Sequence, residues 1–68
     1  MDSNWIKIFS TSAQYKAEII RGLLIDNDIE AIIVNKQDSA YLFGELEIFV
    51  HVDSVLKAKH VLTSHNEL

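Results

Sequence analysis

The residues here best suited to metal or proton chemistry are three histidines, His51, His60 and His65, and their spacing argues against a metal centre. Two imidazoles share a helical face at an i, i+4 interval, and no pair here has it. They read as solvated or capping residues, so no metal and no cofactor is predicted. Asp26, Asp28 and Glu30 imitate the start of a calcium loop. The sixth position is Ala31 where the sharp turn of such a loop needs glycine, which makes the segment a solvated turn. Glu45 and Glu47 fall on one side of a strand, but an acid/base pair also needs a pocket to work in. The chain has no Cys and only Gly22 and Gly44, which excludes a Cys-His pair and a glycine-rich phosphate loop. No catalytic residue is predicted, and the chain reads as a non-enzyme.

What the side chains offer instead is a surface for recognition, and its position depends on the strands and helices. Trp5-Ile6-Lys7-Ile8-Phe9 is aromatic and β-branched and reads as a first strand. Thr11 and Gln14 fit a capping box for a helix that follows. Ala13, Ala17, Ile20 and Leu24 share one stripe of that helix, widened by Ile19 and Leu23. Gly22 inside the helix suggests close approach of a neighbouring backbone, and Asn27 closes the helix in a left-handed conformation. Ile29 to Lys36 reads as a second strand, apolar on both faces through Ala31-Ile32-Ile33-Val34 and therefore well covered. Gln37 to Gly44 makes an enlarged hairpin loop. From Glu45 to Val52 the even positions Leu46, Ile48, Val50 and Val52 are aliphatic, a period of two that fixes a third strand with one face in the core. Asp53 is placed to cap a last helix carrying Val55, Ala58, Val61 and Leu62 on its inner side, and the polar tail from Thr63 frays.

This order predicts an α+β fold, ferredoxin-like β-α-β-β-α with its final strand missing, and two helices on one face of the sheet. The right-handed crossover rule gives a three-stranded sheet of order 1-3-2, leaving the first strand as an open edge. On the face away from the helices the alternation places Trp5, Lys7 and Phe9 beside Glu47, Phe49 and His51, the candidate sheet-face interaction residues. Aromatics on the first and third strands of such a sheet are how RNA-recognition modules stack bases, Phe9 and Phe49 holding the comparable places. Tyr41, Leu42 and Phe43, three bulky apolar residues in the hairpin loop, are a candidate loop contact.

Composition narrows the partners. Ten acidic residues against six basic ones leave a net charge of −4, which repels a phosphate backbone, and the cations do not cluster. Nucleic acid is not expected. No apolar run approaches the ~20 residues that cross a bilayer, and the first residues lack the basic and apolar regions of a secretion signal, so a soluble, cytoplasmic protein is expected. The 68 residues are read as a single domain with an ordered core of about residues 5–62 and a polar tail at 63–68. A core of this size supplies only ~3–5 kcal/mol, and with no disulfide available oligomerisation is the expected support. A homodimer is predicted, with a protein partner or small-molecule effector on the open sheet face.

The chain resembles a family of small bacterial domains, the putative prokaryotic signal-transducing proteins. The likeness rests on Trp5, on Ala17-Glu18-Ile19 through Arg21-Gly22-Leu23-Leu24, and on Ile29. It continues through Gly44-Glu45-Leu46-Glu47-Ile48-Phe49-Val50 with Asp53, Ala58 and Val61-Leu62. These are packing and turn positions. The resemblance implies a ferredoxin-like fold akin to nitrogen-regulatory PII-type proteins, a cytoplasmic location and a regulatory role, and it brings no catalytic residue. Some relatives of that family carry extra Cys-containing segments, which this chain lacks, so no zinc ribbon is expected.

Overall fold

The computed structural model describes residues 4–36 and 45–65. Within them the chain runs β1 (Trp5–Thr11), α1 (Gln14–Asp26), β2 (Ala31–Asn35), β3 (Leu46–His51), a 3-10 turn (Val52–Ser54) and α2 (Val55–Ser64). The sheet order is β1-β3-β2, with β3 antiparallel to both neighbours. β1 and β2 therefore run parallel, joined by α1, and the expected α+β architecture is the one observed.

The period of two in β3 sets the core. Leu46, Ile48 and Val50 are buried, while Glu47, Phe49 and His51 between them are half-buried on the other face. Against the buried row lie Ala17, Ile20 and Leu24 of α1 and Ala58 and Val61 of α2, so both helices cover the same side of the sheet. Ile19, expected to widen the α1 stripe, is 48% exposed, because it lies some 100° around the helix from Ile20. Val52 continues the even-numbered series in sequence yet is 45% exposed. The strand ends at His51 and the backbone turns into the 3-10 segment, which breaks the alternation.

Four local expectations are corrected by the backbone geometry. The capping box does not form: Thr11 Oγ1 accepts a hydrogen bond from the Ala13 N–H at 3.1 Å, and Gln14 is already helical. Asn27 closes α1, its Nδ2 donating to the Leu23 carbonyl at 2.8 Å, but at φ −102° it is not left-handed. That conformation falls on Asp28, at φ 63°. The Asp28 N–H bonds to the Ile25 carbonyl at 3.0 Å and the Ile29 N–H to the Leu24 carbonyl at 2.9 Å, the paired bonds of a Schellman ending, with Ile29 and Leu24 both buried beneath it. Asp53 lies in the 3-10 turn and Ser54 precedes α2, so Asp53 does not cap that helix. Gly22 faces outward, and among the described residues a Cβ added there would meet nothing within 4 Å, so no described backbone nearby explains it.

The second strand is shorter than expected, since Ile29 and Glu30 belong to the turn leaving α1. α2 runs past Leu62, with the Thr63 and Ser64 hydroxyls donating to the Lys59 and His60 carbonyls one turn back.

Candidate functional site

The face of the sheet turned away from α1 and α2 is built by register. Residues directly opposite in an antiparallel pair share a face, so Trp5 lies with its partner His51 and Lys7 with its partner Phe49. On the other side of β3, Ile32 lies with Phe49 and Val34 with Glu47. Among the described residues no helix or strand covers this face. It joins two aromatic rings, two β-branched aliphatics, an imidazole, a cation and an anion in one layer.

One expected member is missing. Between Lys7 and Phe9 the register slips by one residue, a β-bulge at Ile8. Beyond it Phe9 pairs with Ile48 and packs with Ile8 against the core, while Ser10 pairs with Glu47 on the open face. Phe9, expected beside Phe49, is on the opposite side of the sheet. The extra residue inverts the alternation, and the gain is physical: strict alternation would turn Ser10 into the core and leave the Phe9 ring outside.

The remaining side chains touch. The Trp5 and His51 rings meet edge to face, centroids 5.9 Å apart and planes at 77°. The Lys7 ammonium lies 3.6 Å from Glu47 Oε2, a diagonal pair across β1 and β3. An ion pair this exposed is worth at most about 1 kcal/mol, so its effect is to hold two long side chains flat along the sheet. His51 Nδ1 lies 3.3 Å from the Asp53 N–H and 3.5 Å from Asp53 Oδ2. A neutral ring accepts from the first, and a protonated ring pairs with the second.

The face thus gathers Trp5, Lys7, Glu47, Phe49 and His51 and separates Phe9 from them. Sequence reading missed Ile32 and Val34, although a second strand apolar on both faces was their signal. Tyr41, Leu42 and Phe43 lie outside the described residues. Asp26 and Asp28 are exposed at the end of α1, and among the described residues no three His, Asp or Glu side chains gather where a metal ion could be held. No helix of the described residues is long and apolar enough to cross a membrane.

The family described as putative prokaryotic signal transducing protein matches residues 5–66, a span that takes in every element from β1 to α2. No curated protein and no solved structure matches the chain.

Proposed function

Because this chain belongs to the putative prokaryotic signal transducing protein family, we propose that it is a non-enzymatic regulatory module whose open sheet face binds its partner. The observation that carries this reading is the division of labour along β3. Leu46, Ile48 and Val50 are spent on the core, and the alternate side chains build a layer of mixed chemistry under no described element. A contiguous apolar layer rimmed by charges is where small proteins bind other molecules. Phe49, Ile32 and Val34 supply apolar area, Trp5 a flat ring, and Lys7, Glu47 and His51 the polar groups that fix orientation.

The partner classes that suit such a layer are a small-molecule effector or a protein surface, and the module acts in the cytoplasm as a homodimer. Nucleic acid suits it poorly, since the chain carries a net charge of −4 and Phe9, one of the two rings that base stacking needs, lies on the core side. A second reading is a purely structural assembly domain whose open face docks a larger protein without any effector, which the half-buried aliphatics Ile32 and Val34 favour.

The two readings separate in an amide NMR titration of labelled protein with nucleotides, amino acids, divalent metals and single-stranded RNA. Saturable shifts at Phe49, His51 and Ile32 support effector binding. Silence to every probe, with line broadening that grows with protein concentration, supports assembly.

A further inference from the structure

The two edges of the sheet differ in a way that follows from hydrogen-bond direction. Antiparallel neighbours alternate between pairs that exchange main-chain bonds and pairs that do not. The Val52 N–H bonds to the Asn4 carbonyl at 2.7 Å, so the next bonded pair along is Ile6 with Val50. Trp5 and Lys7 between them turn N–H and C=O outward, where no described strand faces them. On the far edge, the Lys36 N–H bonds to the Glu45 carbonyl at 3.0 Å, so the same alternation turns Ala31 and Ile33 outward on β2. There the chain supplies its own cover: Arg21 Nε donates to the outward Ala31 carbonyl at 3.1 Å. Among the described residues no side chain caps β1 in this way, and the strand contains no proline. An exposed edge of this kind is a template for another strand.

We propose that the outer edge of β1 docks a second copy of this chain, β1 against β1, antiparallel about a two-fold axis at Ile6. This rests on the reading above that the module self-associates, and it names the surface. In that register Trp5 of each copy stands opposite Lys7 of the other, and both pairs exchange main-chain bonds. Trp5 and Lys7 lie on the open face, so each indole takes the other copy's ammonium, a cation–π contact made twice. On the helix side Ile6, 36% exposed in one copy, meets Ile6 of the other. Charge selects this register. Shifted two residues one way, it sets Lys7 against Lys7 and runs into the Ile8 bulge. Shifted the other way, it sets Trp5 against Trp5 and carries Lys7 beyond the start of β1, losing both cation–π pairs. The bulge also limits pairing to the first half of β1, so the contact closes as a dimer, and the Arg21 cap on β2 keeps it from growing into a fibre. The two open faces become one continuous surface, and the Trp5 corner of each is completed by Lys7 from the second copy.

Sedimentation of the full chain joined to amide hydrogen exchange tests this. A species of twice the 7.7 kDa chain mass is expected, with the Trp5 and Lys7 amides protected at high protein concentration and unprotected on dilution, while the Ile6 amide stays protected throughout. Lys7→Pro removes an N–H that points outward and costs no bond to β3, so it should give a folded monomer. Lys7→Glu, which keeps the backbone intact and places two carboxylates side by side with Glu47, should weaken the dimer at least tenfold and carries the test if the proline variant does not fold. A 7.7 kDa species at millimolar concentration, or a dimer whose Trp5 and Lys7 amides exchange freely, overturns the proposal. Ile6→Glu, which sets two carboxylates against each other across the two-fold axis on the helix side and leaves every open-face side chain in place, should also give a monomer. Probe-induced shifts at Phe49 and Ile32 of that variant would leave the recognition reading standing while the edge contact is lost, so the two ideas fail separately.

Discussion

The Trp5 indole and the imidazole of His51, the residue directly across from it on β3, meet edge to face, and both rings lie on the uncovered face of the sheet. They form a pair that exchanges no main-chain bonds, the closer of the two antiparallel spacings, which is why the rings touch at all. His51 is held from behind by the Asp53 N–H. One side chain thus links the open face to the turn that starts α2. His51→Ala should cost about 1 kcal/mol and shift the emission of Trp5, the chain's sole tryptophan, as its ring loses a neighbour. Unchanged emission in a folded variant would mean that the rings do not meet in solution.

Asp28 ends α1 in a left-handed conformation that costs an L-residue about 1 kcal/mol and glycine almost nothing. Asp28→Gly should therefore stabilise the protein by about 0.5–1 kcal/mol, which for a domain of this size raises Tm by several degrees. Asp28→Val should do the reverse by a larger margin. Thermal unfolding followed by circular dichroism gives the sign directly.

Gly22 sits in the exposed middle of α1 with open space where a Cβ would be. Replacing it by alanine removes conformational freedom from the unfolded chain and meets no clash, so Gly22→Ala should add about 0.5–1 kcal/mol in urea unfolding. A loss of stability would show that something packs on that face of the helix.

The two faces of β3 should respond in opposite ways. Ile48 is fully buried, and Ile48→Ala should cost about 2–5 kcal/mol, enough to unfold most of a chain this small. Phe49, next to it in sequence, is only half-buried. Phe49→Ser should leave the protein folded and remove its response to partners. Denaturation midpoints of the two variants, measured side by side, decide whether the faces are assigned correctly.

Much of this was legible in the residues. Leu46, Ile48 and Val50 alternate so regularly that strand, face and core follow from them, and Ala17, Ile20 and Leu24 mark the helix that covers them. The sheet order followed from handedness. What escaped were the places where one residue changes parity or direction. The Ile8 bulge moved Phe9 off the candidate site, and its signal was the adjacent pair Phe9-Ser10, which strict alternation would place the wrong way round. Val52 obeys the period but lies past the strand's end. The left-handed position at the end of α1 slipped from Asn27 to Asp28, two residue types that turn chemistry scarcely distinguishes. Arg21 reaching the Ala31 carbonyl has no sequence signal, since it depends on how α1 lies along β2.

The claim that the uncovered sheet face does the binding is tested most directly by mapping amide shifts residue by residue along β2 and β3 as the same small-molecule probes are added at fixed protein concentration. The account predicts an alternating response, large at Ile32, Val34, Glu47, Phe49 and His51 and small at Ile33, Ile48 and Val50. Shifts confined to the outer surfaces of α1 and α2, with both strands silent, would contradict it.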